Sequence, residues 1–378
     1  SISSRGSSPL PSSPDPLRRA LALAARGRAT TAPNPMVGAV LVRDGRVVGE
    51  GFHRRPGEPH AEILALAGAG ERARGATLFV NLEPCSHHGR TPPCADALVA
   101  AGIARVVACH RDPDPRVSGR GFDLLRQAGI AVEVGASADA AVELNFRFLV
   151  NRVLSRPQVT LKWAMSLDGK IATVAGESQW ISGTAARRWA LALREEHDAI
   201  LVGVGTVLAD DPRLDRRLGR AGGPILRVVL DRRLRTPLAA KLFEVPGPVV
   251  IYSESRDAER ALRLRERGAE VVLLPEVTPA TALADLGGRE VSSLLVEGGR
   301  DIATAFFAAE LYDRLEVAVA ARLLAGQMAP GPLGGHGVER LVEAPSVERL
   351  KARKCGTDLV LSGFNARCLQ ELFANLGL

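Results

Sequence analysis

The chain has 378 residues, enough for two domains of ordinary size, and its 46% hydrophobic and 24% charged content excludes a disordered or fibrous protein. No apolar run approaches the roughly 20 residues that cross a bilayer, and the Ser/Pro-rich start lacks a signal peptide's apolar core, so a cytoplasmic enzyme is expected. A net charge of +7 could point to nucleic acid, but the arginines are dispersed through helical segments such as 263–267 and aromatics are only 4%, which favours solvated faces and phosphate-bearing small substrates.

Residues 1–13 are rich in Ser and Pro and poor in large apolar groups, the composition of a disordered tail. Order is expected from Asp15, which can cap a helix opened by Pro16, with Leu17, Leu21 and Ala24 on one face up to Gly27. Two apolar runs, 37–42 and 47–51, flank Asp44-Gly45, the residue pair of a tight hairpin turn. Pro59 can start the next helix, which puts His60 and Glu62 in its first turn and aims Ile63, Leu64 and Leu66 at a core. Residues 77–81 read as a strand, Cys94 opens a helix through Ala101, 104–108 is a short buried strand, and the rhythm recurs through 121–134. Such alternation predicts a mixed sheet covered by helices, an α/β sandwich.

A helical segment over 136–153 leads to Arg156-Pro157, and a boundary near residue 155 divides the chain into domains at 14–155 and 156–378. Beyond it, 159–164, 199–204, 225–230, 249–252, 271–274 and 294–296 are short apolar runs consistent with buried strands. Helices are expected at about 184–195, 256–267 and 300–309, and no internal repeat relates the halves.

Chemistry concentrates at His60, Cys85 and Cys94. One imidazole and two thiols can supply three zinc ligands and leave the fourth tetrahedral position for water, the arrangement of a catalytic site. Glu62 is then the proton carrier for a water whose pKa the metal lowers to about 7, which is the chemistry of a hydrolytic deaminase. A structural zinc site would want a fourth protein ligand, and His87 or His88 could supply one, though both also read as plain loop residues. Five cysteines, an odd and scattered set, form no disulfide framework, so Cys109, Cys355 and Cys368 read as ordinary thiols.

The general zinc-deaminase signature sets two residues between its cysteines, whereas eight lie between Cys85 and Cys94. With that spacing, the run from Glu83 to Cys94, His60-Ala61-Glu62 and the upstream Asn34-Pro35-Met36-Val37-Gly38 closely resemble the deaminase half of the bifunctional deaminase-reductase family of riboflavin biosynthesis. The resemblance spans roughly 15–150 and implies a cytidine-deaminase-like α/β/α sandwich. It also implies that Asn34 and His53 contact the substrate's base and sugar and that Arg90 contacts its phosphate. Composition alone would make Asn34 a turn residue and Arg90 a solvated one.

In the second half, the segments 166–170, 176–181, 203–206, 209–212 and 296–300 are each weak alone. A glycine pair between strand and helix suits backbone amides meeting a phosphate, but no GxGxxG opens a βαβ unit, which weakens an ordinary Rossmann reading. As an ordered set they resemble the reductase half of the same family over roughly 158–365, which implies a dihydrofolate-reductase-like α/β domain that uses NADPH. By position, Ala164, Trp180, Thr206 and Asp210 fall where that family holds NADPH, with Arg232 at a further cofactor position. The turn Gly299-Arg300-Asp301-Ile302-Ala303-Thr304-Ala305 falls there too. Ser178, Arg194, Leu214, Arg217 and Glu297 fall where it holds the sugar phosphate, and arginines suit phosphate because their planar fork bonds it twice. Lys162 falls near the sugar's reacting end, against the plain alternative of a strand lysine facing solvent.

The resemblance therefore implies two successive reactions on one intermediate. The first is zinc-dependent hydrolytic deamination of 2,5-diamino-6-ribosylamino-4(3H)-pyrimidinone 5′-phosphate, and the second is NADPH-dependent reduction of the ribosyl side chain to ribityl. One rival is a tRNA or nucleoside deaminase with an unrelated C-terminal domain, opposed by the cysteine spacing and the reductase-like segments. The other is a zinc-stabilised nucleic-acid-binding protein, which leaves Glu62 and the second half unexplained. Small phosphorylated pyrimidines are the expected partners, with no nucleic acid and no membrane, and the sequence leaves a homo-oligomer open.

Overall fold

The computed structural model describes residues 15–28, 30–86, 93–114, 117–219 and 223–378. The tail expected at 1–13, His87, His88 and Arg90 lie outside the described residues. The described chain divides into two units, one running to Val153 and taking in Phe373–Leu378, the other Leu154–Leu372.

In the first unit, helix α1 (Pro16–Ala24) begins where Asp15 Oδ1 accepts from Leu17 N at 3.0 Å. Strands β1 (Gly38–Arg43) and β2 (Arg46–Phe52) pair antiparallel around Asp44 and Gly45, whose φ of 50° and 72° are the left-handed values a two-residue hairpin turn requires. There follow α2 (Ala61–Ala69), β3 (Thr77–Val80), α3 (Cys94–Ala100), β4 (Arg105–Ala108), α4 (Arg120–Gln127), β5 (Ala131–Val134), α5 (Ala138–Leu144) and α6 (Phe146–Val153). The sheet runs β2-β1-β3-β4-β5, antiparallel from β2 to β3 and parallel beyond. Because side chains alternate along a strand, Ala39, Leu41, Leu78, Val80, Val106 and Ala108 face α2, α3 and α4, while Val40, Phe79 and Val107 face α1 and α5. Fully buried leucines such as Leu78, Leu98 and Leu125 each stabilise this packing by roughly 1.5–3 kcal/mol.

Two expectations need correction here. The buried face of α2 carries Ala61, Glu62, Ala65 and Ala69; Leu66 packs half-buried against the core as expected, whereas Ile63 and Leu64 are half-buried and lie outside that cluster. The cause is close approach: a Cβ on Gly49 of β2 would lie 2.1 Å from Ala65 O, and one on Gly51 2.5 Å from Leu64 Cβ and 2.6 Å from Ala61 O, so the helix backbone sits directly on a glycine track. The helical segment over 136–153 is two helices broken at Asn145, whose side chain accepts from Met36 N at 2.8 Å and donates to Met36 O at 2.9 Å.

The second unit opens with β6 (Gln158–Ser166), α7 (Thr184–Glu196), β7 (Ala199–Gly203), α8 (Val204–Asp210), β8 (Leu226–Leu230) and β9 (Val249–Ser253). It continues with α9 (Ala258–Glu266), β10 (Ala269–Leu273), α10 (Pro279–Gly288), β11 (Ser293–Val296), α11 (Arg300–Ala308) and β12 (Arg314–Ala320), then β13 (Val347–Cys355), β14 (Asp358–Asn365) and α12 (Ala366–Leu376), which belongs to this unit as far as Leu372. The nine-stranded sheet runs β10-β9-β8-β7-β11-β6-β12-β14-β13, parallel as far as β12 and antiparallel through the last two pairings. Strands β6 to β9 and β11 bury Leu161, Leu201, Val228, Tyr252 and Val296 against α10 and α11 on one face. On the other, Ile200, Val202, Val229 and Ile251 meet α8 and α9. The predicted strands all form, but β12, β13 and β14 lie beyond the last of them. Edge strand β13 is mostly exposed and charged, Val-Glu-Arg-Leu-Lys-Ala-Arg-Lys-Cys, so no apolar run marks it. Among the described residues no helix is long and apolar enough to cross a membrane.

Candidate active sites

In the first unit the site is assembled at the carboxyl end of β3 and the starts of α2 and α3. His60 is the N-cap of α2, Glu62 lies in its first turn, and Cys94 is the first residue of α3. His60 Nδ1 stands 3.2 Å from Cys94 Sγ and 3.5 Å from Cys85 Sγ, and the three donor atoms all lie within 4.8 Å of one another. A tetrahedral zinc bound at ordinary nitrogen and sulfur distances wants neighbouring donors about 3.5–3.8 Å apart, so this set fits the ion with modest adjustment. No fourth ligand joins it among the described residues. Cys94 N donates to Cys85 Sγ at 3.3 Å, and the neighbouring Cys94 and His60 hold the Cys85 thiol well below its ordinary range, which favours the thiolate a metal needs.

Glu62 is 3% exposed and its Oε2 has no hydrogen-bond partner. Burial, with the Cys85 thiolate adding, pushes this carboxyl up to about 6, where it can exchange a proton near neutral pH. The cavity in front of it, about 490 Å³, is lined by Asn34, Pro35, His53, His60, Glu62 and Cys85. Asn34 Nδ2 lies 3.1 Å from His53 Nε2, and burial lowers the His53 pKa, so a neutral ring accepting from Asn34 satisfies both groups. Asn81 and Asn145 fix this wall: Gly38 N donates to Asn81 Oδ1 at 2.8 Å, and both amides donate to Met36 O at 2.9 Å. No sequence pattern marks those two asparagines, nor Asp112, Asp114, Phe148 and Arg152, which line the same cavity from loops and a helix with no motif of their own.

In the second unit, a cavity of about 1040 Å³ opens at the carboxyl ends of β7, β8 and β11, where open parallel sheets hold ligands. Glu297 follows β11, and Arg194 Nε and Nη2 donate to its two oxygens at 2.9 and 3.0 Å. Lys162 Nζ lies 3.5 Å from Glu297 Oε2, because β6 and β11 run in parallel register with Leu161 opposite Val296. Burial alone would raise the Glu297 pKa, but Arg194 and then Lys162 hold it down to about 2.

The cavity also takes in Ala164, Ser178, Thr206, Asp210, Arg232, Gly299, Arg300, Asp301, Ile302 and Ala305. Ser178 Oγ donates to Asp210 at 3.4 Å, and Gly299 N donates to Thr206 Oγ1 at 3.2 Å. Other expected residues stand elsewhere. Ala303 is buried on the core side of α11, and Thr304 Oγ1 donates to Arg300 O at 2.7 Å and accepts from Gly334 N at 2.8 Å, since only one face of a helix can meet the cavity. Trp180 is 61% exposed with the Arg187 guanidinium 4.8 Å over its ring. Leu214 is buried in the core beside α8, and Arg217 donates to Asp215 at 2.7 Å. Arg233, Arg235 and Thr278 line the cavity unannounced by any pattern.

A family profile described as the RibD C-terminal domain matches residues 157–361, and one described as the cytidine and deoxycytidylate deaminase zinc-binding region matches 15–110. The chain is 42% identical over 345 residues to the riboflavin biosynthesis protein RibD of Aquifex aeolicus, covering 91% of this chain and 96% of the relative. A solved structure of Acinetobacter baumannii RibD superposes with a TM-score of 0.79 at 38% identity, over 93% of this chain and 98% of that one. The Thermotoga maritima diaminohydroxyphosphoribosylaminopyrimidine deaminase/5-amino-6-(5-phosphoribosylamino)uracil reductase also gives 0.79, at 34% identity over 93% and 98%.

Proposed function

The chain belongs to the RibD family of riboflavin biosynthesis proteins, and we propose that it catalyses both reactions of a bifunctional deaminase-reductase. Residues 14–155 remove ammonia hydrolytically from 2,5-diamino-6-ribosylamino-4(3H)-pyrimidinone 5′-phosphate, and residues 156–378 reduce the ribosyl chain of the product to ribityl. Zinc and NADPH are its cofactors. When bound, zinc supplies an acidified water and NADPH the hydride.

The remaining work falls to the chain's own residues. His60, Cys85 and Cys94 hold the metal. Glu62 Oε2 takes the proton of the attacking water and returns it to the leaving amine, a role that suits a buried oxygen with no other partner. Asn34 and His53 orient base and sugar, and Arg90 meets the phosphate. In the second unit Lys162 stands at the sugar's reacting end, with Glu297 holding its ammonium in place. Ser178, which lines the cavity, and Arg194, which holds Glu297, complete the sugar-phosphate site. Ala164, Thr206, Asp210, Arg232, Gly299, Arg300, Asp301, Ile302 and Ala305, which line the cavity, hold NADPH. We place the enzyme in the cytoplasm, acting on small phosphorylated pyrimidines and not on nucleic acid.

The observation that carries this reading is that three zinc donors lie within 4.8 Å of one another, and that His60 and Cys85 share one cavity with Glu62, a buried carboxylate whose Oε2 has no hydrogen-bond partner. Incubating zinc-loaded protein with the diaminopyrimidine and NADPH, and following ammonia and NADPH separately, tests it. Ammonia should appear first and NADPH loss should depend on it. NADPH consumption with no ammonia release would refute the proposed order.

A further inference from the structure

Glu83 is a buried carboxylate, 3% exposed, that no Lys or Arg pairs with among the described residues. It is compensated by backbone instead: Gly121 N donates to its Oε1 at 2.8 Å, and Gly119 N and Asp112 N donate to its Oε2 at 2.9 and 3.0 Å. Two of these amides belong to the start of α4, whose N-cap is Gly119, at φ 92° and with no side chain to cap the helix. Glu83 therefore caps α4 from 36 residues away, with its negative charge placed at the positive end of the helix dipole. Its own N–H donates to His110 O at 3.1 Å, and a Cβ on Gly121 would lie 2.1 Å from Pro84 O, so the contact is close on both sides. The residues tied down in this way are not remote from the chemistry. Asp112, Asp114 and Val117 form one wall of the deaminase cavity, and Leu82 and Glu83 themselves continue it toward Cys85.

We propose that Glu83 is a positioning residue of the deaminase site, which sets the wall formed by Asp112, Asp114 and Val117 at the distance the pyrimidine substrate requires. The inference rests on the deaminase reading of the first unit. It assigns Glu83 to substrate binding through its neighbours and not to the metal or to proton transfer, since all three N–H bonds occupy its oxygens.

The test uses Glu83→Gln in the full-length, zinc-loaded enzyme. An amide keeps the shape but replaces one acceptor oxygen by a donor, which must face at least one of the same N–H groups. The KM for the diaminopyrimidine should rise tenfold or more while kcat falls less than threefold. Zinc content, the thiolate absorption of the cobalt-substituted protein and the reductase kinetics should all match the wild type. A KM within twofold of wild type overturns the proposal. Joint loss of zinc and kcat overturns it as well, because Glu83 would then brace the metal ligands. If the glutamine variant does not fold, Glu83→Asp, which keeps both oxygens one methylene shorter, should give an intermediate KM, and an unchanged KM again overturns the idea. Deamination by the wild-type protein in the same assay keeps this outcome separate from a failure of the deaminase assignment itself.

Discussion

The deaminase donors come from one stretch of chain, His60 to Cys94, and are delivered by two helix starts and a strand end. In the reductase, Lys162, Arg194 and Glu297 come from β6, α7 and the end of β11; sheet register brings Lys162 to Glu297, and the packing of α7 brings Arg194. The first site is a set of soft donors whose spacing is itself a chemical statement. The second is a charge network whose members, taken singly, resemble surface residues. The two also differ in electrostatic logic: burial raises Glu62 to about 6, whereas two cations hold Glu297 down to about 2. Glu62 keeps one oxygen, Oε2, without a hydrogen-bond partner, whereas Glu297 is held by Arg194 and Lys162.

Independence of the two sites is the boldest consequence of this contrast, and chelation tests it first. A strong zinc chelator should abolish ammonia release while NADPH oxidation on the deaminated substrate continues at its original rate. Next in size, Glu62→Gln should lower the deaminase kcat by about 10²–10⁴-fold, the range general acid-base catalysis supplies, with zinc retained by metal analysis. Wild-type deamination in that variant would remove Glu62 from the mechanism.

Glu297→Gln should leave ammonia release intact, impair use of the sugar substrate, and destabilise the second unit by about 3 kcal/mol, the order expected when buried charges lose their partner. All three tryptophans, Trp163, Trp180 and Trp189, lie in that unit, so their fluorescence reports its unfolding alone. The pH dependence has a definite sign. Because the folded-state pKa lies below the ordinary 4.5, the Glu297 contribution is complete above about 4.5 and is lost as pH falls toward 2. The stability gap between wild type and variant should therefore narrow over that window; a gap that stays constant down to pH 2 would contradict the ion-pair account.

A smaller effect separates two adjacent glycines. A Cβ on Gly298 would lie 2.6 Å from Ile302 Cβ, whereas one on Gly299 would meet only Thr206 Oγ1 at 3.6 Å. Gly299→Val should thus fold and raise the NADPH KM roughly tenfold by filling cavity space, about 1.4 kcal/mol, and Gly298→Val should instead lower thermal stability. Fluorescence titration of NADPH and thermal denaturation of the two variants distinguish these outcomes. Smallest of all, Asp15→Ala removes the cap of α1 and should cost about 1 kcal/mol in the first unit, with both activities unchanged.

What the sequence determined by itself was whatever depends on neighbours along the chain. The Asp15-Pro16 helix start, the Asp44-Gly45 turn, the parallel strands β6 to β11 and the zinc donor set all follow from local conformational preference, side-chain period or ligand chemistry. Tertiary structure decided the rest. The alanine face of α2 depends on glycines in β2. The break at Asn145 depends on a backbone 109 residues away, which its amide bonds as a strand would. The capping of α4 by Glu83, and the pairing of Arg194 with Glu297 across 103 residues, leave no periodic or compositional trace. Buried polar groups must find partners wherever the fold puts them, and those partners are set by the packing of elements and not by their order in the chain.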